Sequence, residues 1–210
     1  MNITITFVLG FLAAFLAVMP PGLLNMTAAK ISLREGHTRG IVFSIGACII
    51  VFIQTLIATV FARYLNRHPD VVEILQRVAF VIFVLVTVYF LLVAKGREKV
   101  EEELEPKSKR SRFFQGVFMS SINVFPIPFQ AYMAITLASL GWLQFDTTSI
   151  AAYVAGAAMG SFAMLYIYMF FFEKIKHLKF TSQKNMNYII GGITGIISLI
   201  TLVNIIKDLK

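Results

Sequence analysis

The sequence predicts an all-α integral membrane protein: six transmembrane helices as two inverted three-helix repeats, with broken helices at the repeat starts. Three observations predict it. Only 14% of the 210 residues are charged and 58% are hydrophobic, with mean hydropathy +0.77, where soluble domains carry about 25% charged residues. Six apolar runs each approach the roughly 20 residues that cross a hydrocarbon core. A proline-containing break recurs at a fixed offset in the two halves.

The runs follow in order. The first extends from about Ile3 to Met19 and stops at Pro20 and Pro21, which have no N–H for a helical ladder. The opening "MNITITF" lacks a basic flank, so this run is expected to be a retained span. The second covers about Arg39–Ala62 and the third about Val71–Ala94, before the charged stretch "KGREKVEEELEPKSKRSR". The fourth covers about Phe113–Leu140, the fifth Ser149–Phe172 and the sixth Met186–Ile206. Lipid offers no partner to backbone amides, so such runs must be helical; none alternates as the strands of a barrel would. The chain divides into a first repeat, 1–94, a charged cytoplasmic linker, 95–112, and a second repeat, 113–210.

Loop charges orient the bundle. With the N-terminus outside, the inner segments hold 14 Lys and Arg residues and the outer segments 5. This bias expects both termini outside. The net charge of +8 is then a positive-inside signature, and nucleic acid is not an expected partner because no basic stripe interleaves with exposed aromatics. Lys30, Arg34 and Arg39 are expected as a solvated cluster at the cytoplasmic edge.

The repeat is read from the breaks. Gly10 precedes Pro20 by ten residues, Gly116 precedes Pro126 by ten, and Gly22 matches Pro128 two positions further on, all at an offset of 106. "SIGACI" at Ser44–Ile49 echoes "VAGAAM" at Val154–Met159. Halves with an odd number of spans lie in opposite orientations, and paired breaks in such halves mark the midplane site of many secondary transporters.

Polar residues in spans are costly and need accounting. Asn25, Thr27 and Lys30 follow the first break, Gln54 and Thr55 lie in the second run, and Asn123 and Gln130 flank the second break. A broken helix frees carbonyls that suit an ammonium group and N–H groups that suit a carboxylate, while an amide such as Asn25 or Asn123 serves either end. The candidate substrate-binding set is therefore Pro20, Pro21, Gly22, Asn25, Gln54, Asn123, Pro126, Pro128 and Gln130. Gln54 and Thr55 fit interhelical packing bonds better than the lining of a pathway. Gly191, Gly192 and Gly195, with Ala151, Ala155 and Ala158, are expected as close-packing surfaces.

None of the 11 acids falls in the middle of a run; Glu35 and Glu73, near run ends, are the nearest proton-carrier candidates and otherwise read as solvated caps. Cys48 is the single cysteine, and His37, His68 and His177 have no ligand spacing, so no metal or other cofactor is expected. No hydrolase or nucleotide-binding motif is present, and the chain is not read as an enzyme.

The run "PPGLLNMTAAKISLREGHTRGIVFSIGACI", with Gly116 and Asn123 in a G-x6-N spacing, resembles the LysE/RhtB-type translocator family. That family usually writes its first break P-G-P and follows the second-half Asn with Pro; here the order is P-P-G, Val124 follows Asn123, and the lysine that usually follows that proline is absent. Pro20, Pro21 and Gly22 match the first break and Asn123 the second-half amide, with Pro126 and Pro128 approximating the pattern. The resemblance implies secondary active export of amino acids or related zwitterions across a bacterial cytoplasmic membrane, with H+ as the expected coupling ion. Two other readings stay open, a carrier of another solute class (a divalent cation or an organic acid) and a non-transporting assembly or scaffold protein. A homodimer is compatible with a bundle of this size.

Overall fold

The computed structural model describes residues 2–20, 22–93 and 108–175, and from 188 to 206 only 188, 191–192, 195–196, 198–199, 201–203 and 206. Every element among the described residues is helical. Helix α1 spans Ile3–Val18, opened by Asn2, whose side chain accepts from the Thr4 N–H at 3.0 Å. The proline pair ends its ladder. Helix α2, Leu23–Glu35, starts from extended Gly22, and its axis departs from that of α1 by 82°. Gly36, at φ 94°, ends it, a backbone region open mainly to glycine.

Helix α3, His37–Leu65, has 29 residues, about 43 Å at 1.5 Å per residue and ample for a bilayer. Helix α4, Pro69–Val88, carries proline in its first turn, where a missing N–H costs nothing, and passes into a π-helical turn at Tyr89–Val93. Ser108 caps α5, Lys109–Ile122, by accepting from the Ser111 N–H at 3.1 Å. After a break at 123–125, Pro126 opens α6, Pro126–Ser139. Helix α7 runs from Thr147 to Ile175, capped by Asp146, which accepts from the Ser149 N–H at 3.0 Å.

By length and composition α3 and α7 each suffice to cross a membrane, and the bent pair α1–α2 makes a third candidate span. The expected fourth run is two helices of 14 residues each, because Pro126 and Pro128 supply no N–H donors to join α5 to α6. Of the third run, the apolar part is the shorter helix Phe80–Val93. The expected sixth run and the 95–107 linker lie largely outside the described residues.

Two compact units form. One holds residues 1–66 and 103–176, the other 67–102 and 177–210. In the first, α1 packs along α7 and α5 along α3 at contacts so close that a Cβ has no room. A Cβ on Gly10 would stand 2.1 Å from the Tyr153 carbonyl oxygen, and one on Gly156 2.1 Å from that of Phe7. The other pair repeats the pattern: Gly116 against Phe43 at 2.1 Å, and Gly46 against Phe113 at 2.3 Å. In both, each glycine meets the carbonyl three residues before the other. Small residues permit such backbone contact, the device membrane helices use to associate.

The α7 stripe is therefore Gly156 and Gly160, the latter against Phe11. Ala151, expected on that stripe, is exposed, and Ala155 and Ala158 are half-buried, because the helix presents the neighbouring row to α1. In the second unit, Gly191 meets Leu91 and Gly195 approaches Thr87, whereas no described residue lies within 4 Å of a Cβ on Gly192. The outer face of α1 leaves Ile3, Ile5, Leu12 and Leu16 exposed, apolar side chains for which hydrocarbon is the fitting solvent.

Candidate functional site at the two helix breaks

Each break leaves carbonyls without intrahelical partners, and side chains take them up. At the first break, the Asn25 amide donates from its Nδ2 to the Val18 carbonyl at 2.6 Å and to the Pro20 carbonyl at 3.0 Å. The Tyr168 hydroxyl of α7 donates to the Met19 carbonyl at 2.7 Å. Asn25 sits in the first turn of α2 because Gly22 begins the helix there, and its side chain folds back over the end of α1. It is buried, at 4% exposure.

At the second break, Gln54 of α3 does the same work from another helix. Its Nε2 donates to the Ser120 carbonyl at 3.1 Å and the Asn123 carbonyl at 2.9 Å. One side-chain amide thus binds two freed carbonyls at each break. The Asn123 backbone also turns in, its N–H bonding the Ser120 carbonyl at 3.1 Å, while its side chain is exposed.

The surroundings differ. Among the described residues, Gln54 Oε1, Thr55 Oγ1 and Ser120 Oγ are buried without a hydrogen-bond partner. Buried polar atoms normally find one, and leaving one unmade costs about 1–3 kcal/mol. Three acceptor-capable atoms on Gln54, its neighbour Thr55 and its bonding partner Ser120 make the second break the polar site of this unit with spare bonding capacity.

The other expected residues are placed as follows. Pro20 and Pro128 are exposed, Gly22 and Pro126 half-buried, and Pro21 lies outside the described residues, as does the Glu73 side chain. Gln130 is buried on α6 and its Oε1 accepts from the Tyr153 hydroxyl of α7 at 2.7 Å. Val18 and Leu24, flanking the first break, and Met119, one turn before the second, pack against one cluster with Phe43, Ala47 and Leu165. A cavity of about 360 Å³ lies between α3 and α7, but its lining (Cys48, Phe52, Met159 and Phe162 among others) is apolar and includes none of the expected residues. No group of three or more His, Cys, Asp or Glu among the described residues could hold a metal ion.

Sequence reasoning missed a second polar cluster. Glu35 was expected to be a solvated cap or proton carrier and Arg112 a linker charge, yet their side chains are 1% and 0% exposed. Arg112 holds the Glu35 carboxylate with both arms, Nε to Oε2 at 2.9 Å and Nη2 to Oε1. Its Nη1 donates to Gln115 Oε1. Arg39 donates from Nη1 to the Glu35 carbonyl at 2.8 Å, with its Nε 4.0 Å from the carboxylate. The signal available was the single acid in the basic stretch from Lys30 to Arg39. Tyr168, a donor to the first break, also carried no sequence cue beyond its place in an apolar run.

Residues 7–204 match the family model of the LysE type translocator, and the chain belongs to that family. No curated protein and no solved structure matches the chain.

Proposed function

We propose that this LysE-type translocator is a secondary active transporter that exports amino acids or related small zwitterions from the cytoplasm, by alternating access at the two helix breaks. The family makes it a transporter; the site supports the solute class. The observation that carries it is the second break, where Gln54 closes two carbonyls while Gln54 Oε1, Thr55 Oγ1 and Ser120 Oγ stay buried and unpartnered.

A primary ammonium brings three N–H donors and matches such acceptors. Displacing Gln54 Nε2 would add the Ser120 and Asn123 carbonyls to that set. Pro20, Pro21 and Gly22, with Pro126 and Pro128, serve by breaking the helices; Asn25 and Tyr168 hold the first break closed. Gln130 braces α6 on α7 through Tyr153.

Two inverted three-helix repeats, 1–94 and 113–210, underlie this mechanism. The reciprocal glycine contacts support them, since the first helix of each half packs on the second long helix of the other with matching registers. Likewise Gln54 of the first half reaches the break of the second, and Tyr168 of the second half reaches the break of the first. The charge bias sets both termini outside a bacterial inner membrane, and the expected driving ion is H+.

The test is an efflux screen. Proteoliposomes loaded with single amino acids or dipeptides should release at least one of them faster when a proton gradient is imposed. No gradient-stimulated release of any zwitterion would refute the assignment, and release of a divalent cation or a simple organic acid instead would move the chain to another solute class.

A further inference from the structure

We infer that α2 is a hinged gate helix, latched at its C-terminal end by the Glu35–Arg112 ion pair. This rests on the transport function proposed above and assigns a positioning role to residues outside the breaks. The hinges come first. Helix α2 follows the break at which the chain turns by 82°. It ends at Gly36, whose φ of 94° belongs to glycine and where no described residue lies within 4 Å of a Cβ position. A rigid 13-residue helix between two such joints is built as a hinged element.

The latch is at the C-terminal end of α2, beside the Gly36 joint, which the Ser32 hydroxyl and the His37 ring also bridge at 2.7 Å. Glu35 is the last residue of α2, and Arg112 stands in the first turn of α5. Their two-armed contact is nearly closed to solvent, and Gln115 Oε1 accepts from the guanidinium Nη1. Arg112 stands on a fixed post, because α5 meets α3 backbone to backbone at Gly116 and Gly46 immediately beyond it. Movement therefore belongs to α2.

Arg39 supplies the alternative partner. It lies across the Gly36 hinge on α3, its side chain 38% exposed and its Nε 4.0 Å from Glu35 Oε2. When α2 swings from α5, Glu35 passes from the buried guanidinium to the exposed one, and Arg112 faces the opened mouth. Neither charge is left buried and alone, the state that makes breaking a buried pair expensive. The latched end holds the start of α5, with Lys109, Arg110 and Arg112, and is the cytoplasmic end by charge bias.

The test uses the full chain with its one cysteine removed, Cys48→Ser. A reporter cysteine replaces Ala28, which is 0% exposed on the inner face of α2 against Phe43 and Ala47. A membrane-impermeant maleimide is applied to inverted vesicles. Labelling should be slow with the latch intact and roughly 10- to 100-fold faster in Glu35→Gln or Arg112→Gln. An unchanged rate in both variants overturns the gate. So does equal acceleration at a second reporter, Ala157→Cys, 0% exposed on α7, because that would be general loosening. A paired Glu35→Cys, Arg112→Cys variant joined by a cleavable thiol crosslinker should lose efflux and regain it on cleavage; efflux through the closed crosslink overturns the gate. Labelling needs no solute, so a protein that exports no amino acid but labels as described would sink the transport assignment and leave the gate standing.

Discussion

Replacing Gln54 with leucine is the sharpest test of how the second break is held. The change keeps side-chain bulk on a buried position of α3, 6% exposed, while removing both N–H donors. The Ser120 and Asn123 carbonyls, now bonded at 3.1 and 2.9 Å, would lose that donor. Each neutral bond contributes about 1 kcal/mol net, and the cost rises to about 1–3 kcal/mol when a buried acceptor is stranded. The Ser120 carbonyl keeps its bond from the Asn123 N–H at 3.1 Å and only the Asn123 carbonyl is left without a donor, so the two losses give about 1–3 kcal/mol, offset in small part because the unpartnered Oε1 goes as well. For a chain of this size that is a fall of roughly 5 °C in the unfolding midpoint. The assay is thermal unfolding of the purified protein in detergent, beside Asn25→Leu, which strips two donors from the first break in the same way. Midpoints within about 2 °C of the parent for both variants would refute the idea that side-chain amides hold the breaks. Efflux measured on the same preparations separates the roles. If Gln54 also yields its place to an ammonium, Gln54→Leu should lose transport even under conditions where it stays folded.

Further outcomes follow from the same geometry. Tyr168→Phe removes one donor to the Met19 carbonyl and should cost about 1 kcal/mol, with a non-additive double-mutant cycle against Asn25→Leu because both serve one break. Gly10→Ala and Gly116→Ala each set a Cβ 2.1 Å from a facing carbonyl and should destabilise by about 1–3 kcal/mol, whereas Gly192→Ala, whose Cβ meets no described residue within 4 Å, should not destabilise in the same melts. The Asp146 carboxyl is held below its ordinary value of 3.8, first by the Ser149 side chain and then by the Ser149 backbone N–H. A depressed folded value means its contribution is complete above 3.8 and is lost as pH falls through the lower folded value, so acid melts of Asp146→Asn should lack that loss.

What the sequence made legible was whatever depends on local covalent chemistry. Proline without an N–H and glycine without a Cβ act in any context, so both breaks stand where "MPPGLLNM" and "NVFPIPFQ" put them. Runs as long and apolar as 39–62 and 149–172 have few alternatives to a helix, and α3 and α7 extend each by two or three residues at either end. The site was legible by residue type and not by partner. Asn25, Gln54 and Asn123 were identified as polar atoms out of place, yet periodicity cannot say that Gln54 would reach a carbonyl 69 residues away, or that Asn123 would offer its backbone and turn its side chain outward.

The same limit explains Glu35. A carboxylate beside Arg34 and Arg39 at the end of an apolar run has the local pattern of a solvated cap, and in isolation it would be one. Its burial is decided by Arg112, 77 residues on, a residue that reads as one basic side chain among seven in a linker. The close glycine contacts at Gly46 and Gly116 draw the start of α5 against α3, and that approach carries Arg112 to the end of α2. An ion pair of this kind is fixed by backbone packing about one turn along α5 from it, so only the helix contacts, and no motif, could have announced it. The polar network therefore follows the small-residue contacts in the order of cause: glycines set how near the helices stand, and nearness decides which charges and carbonyls meet.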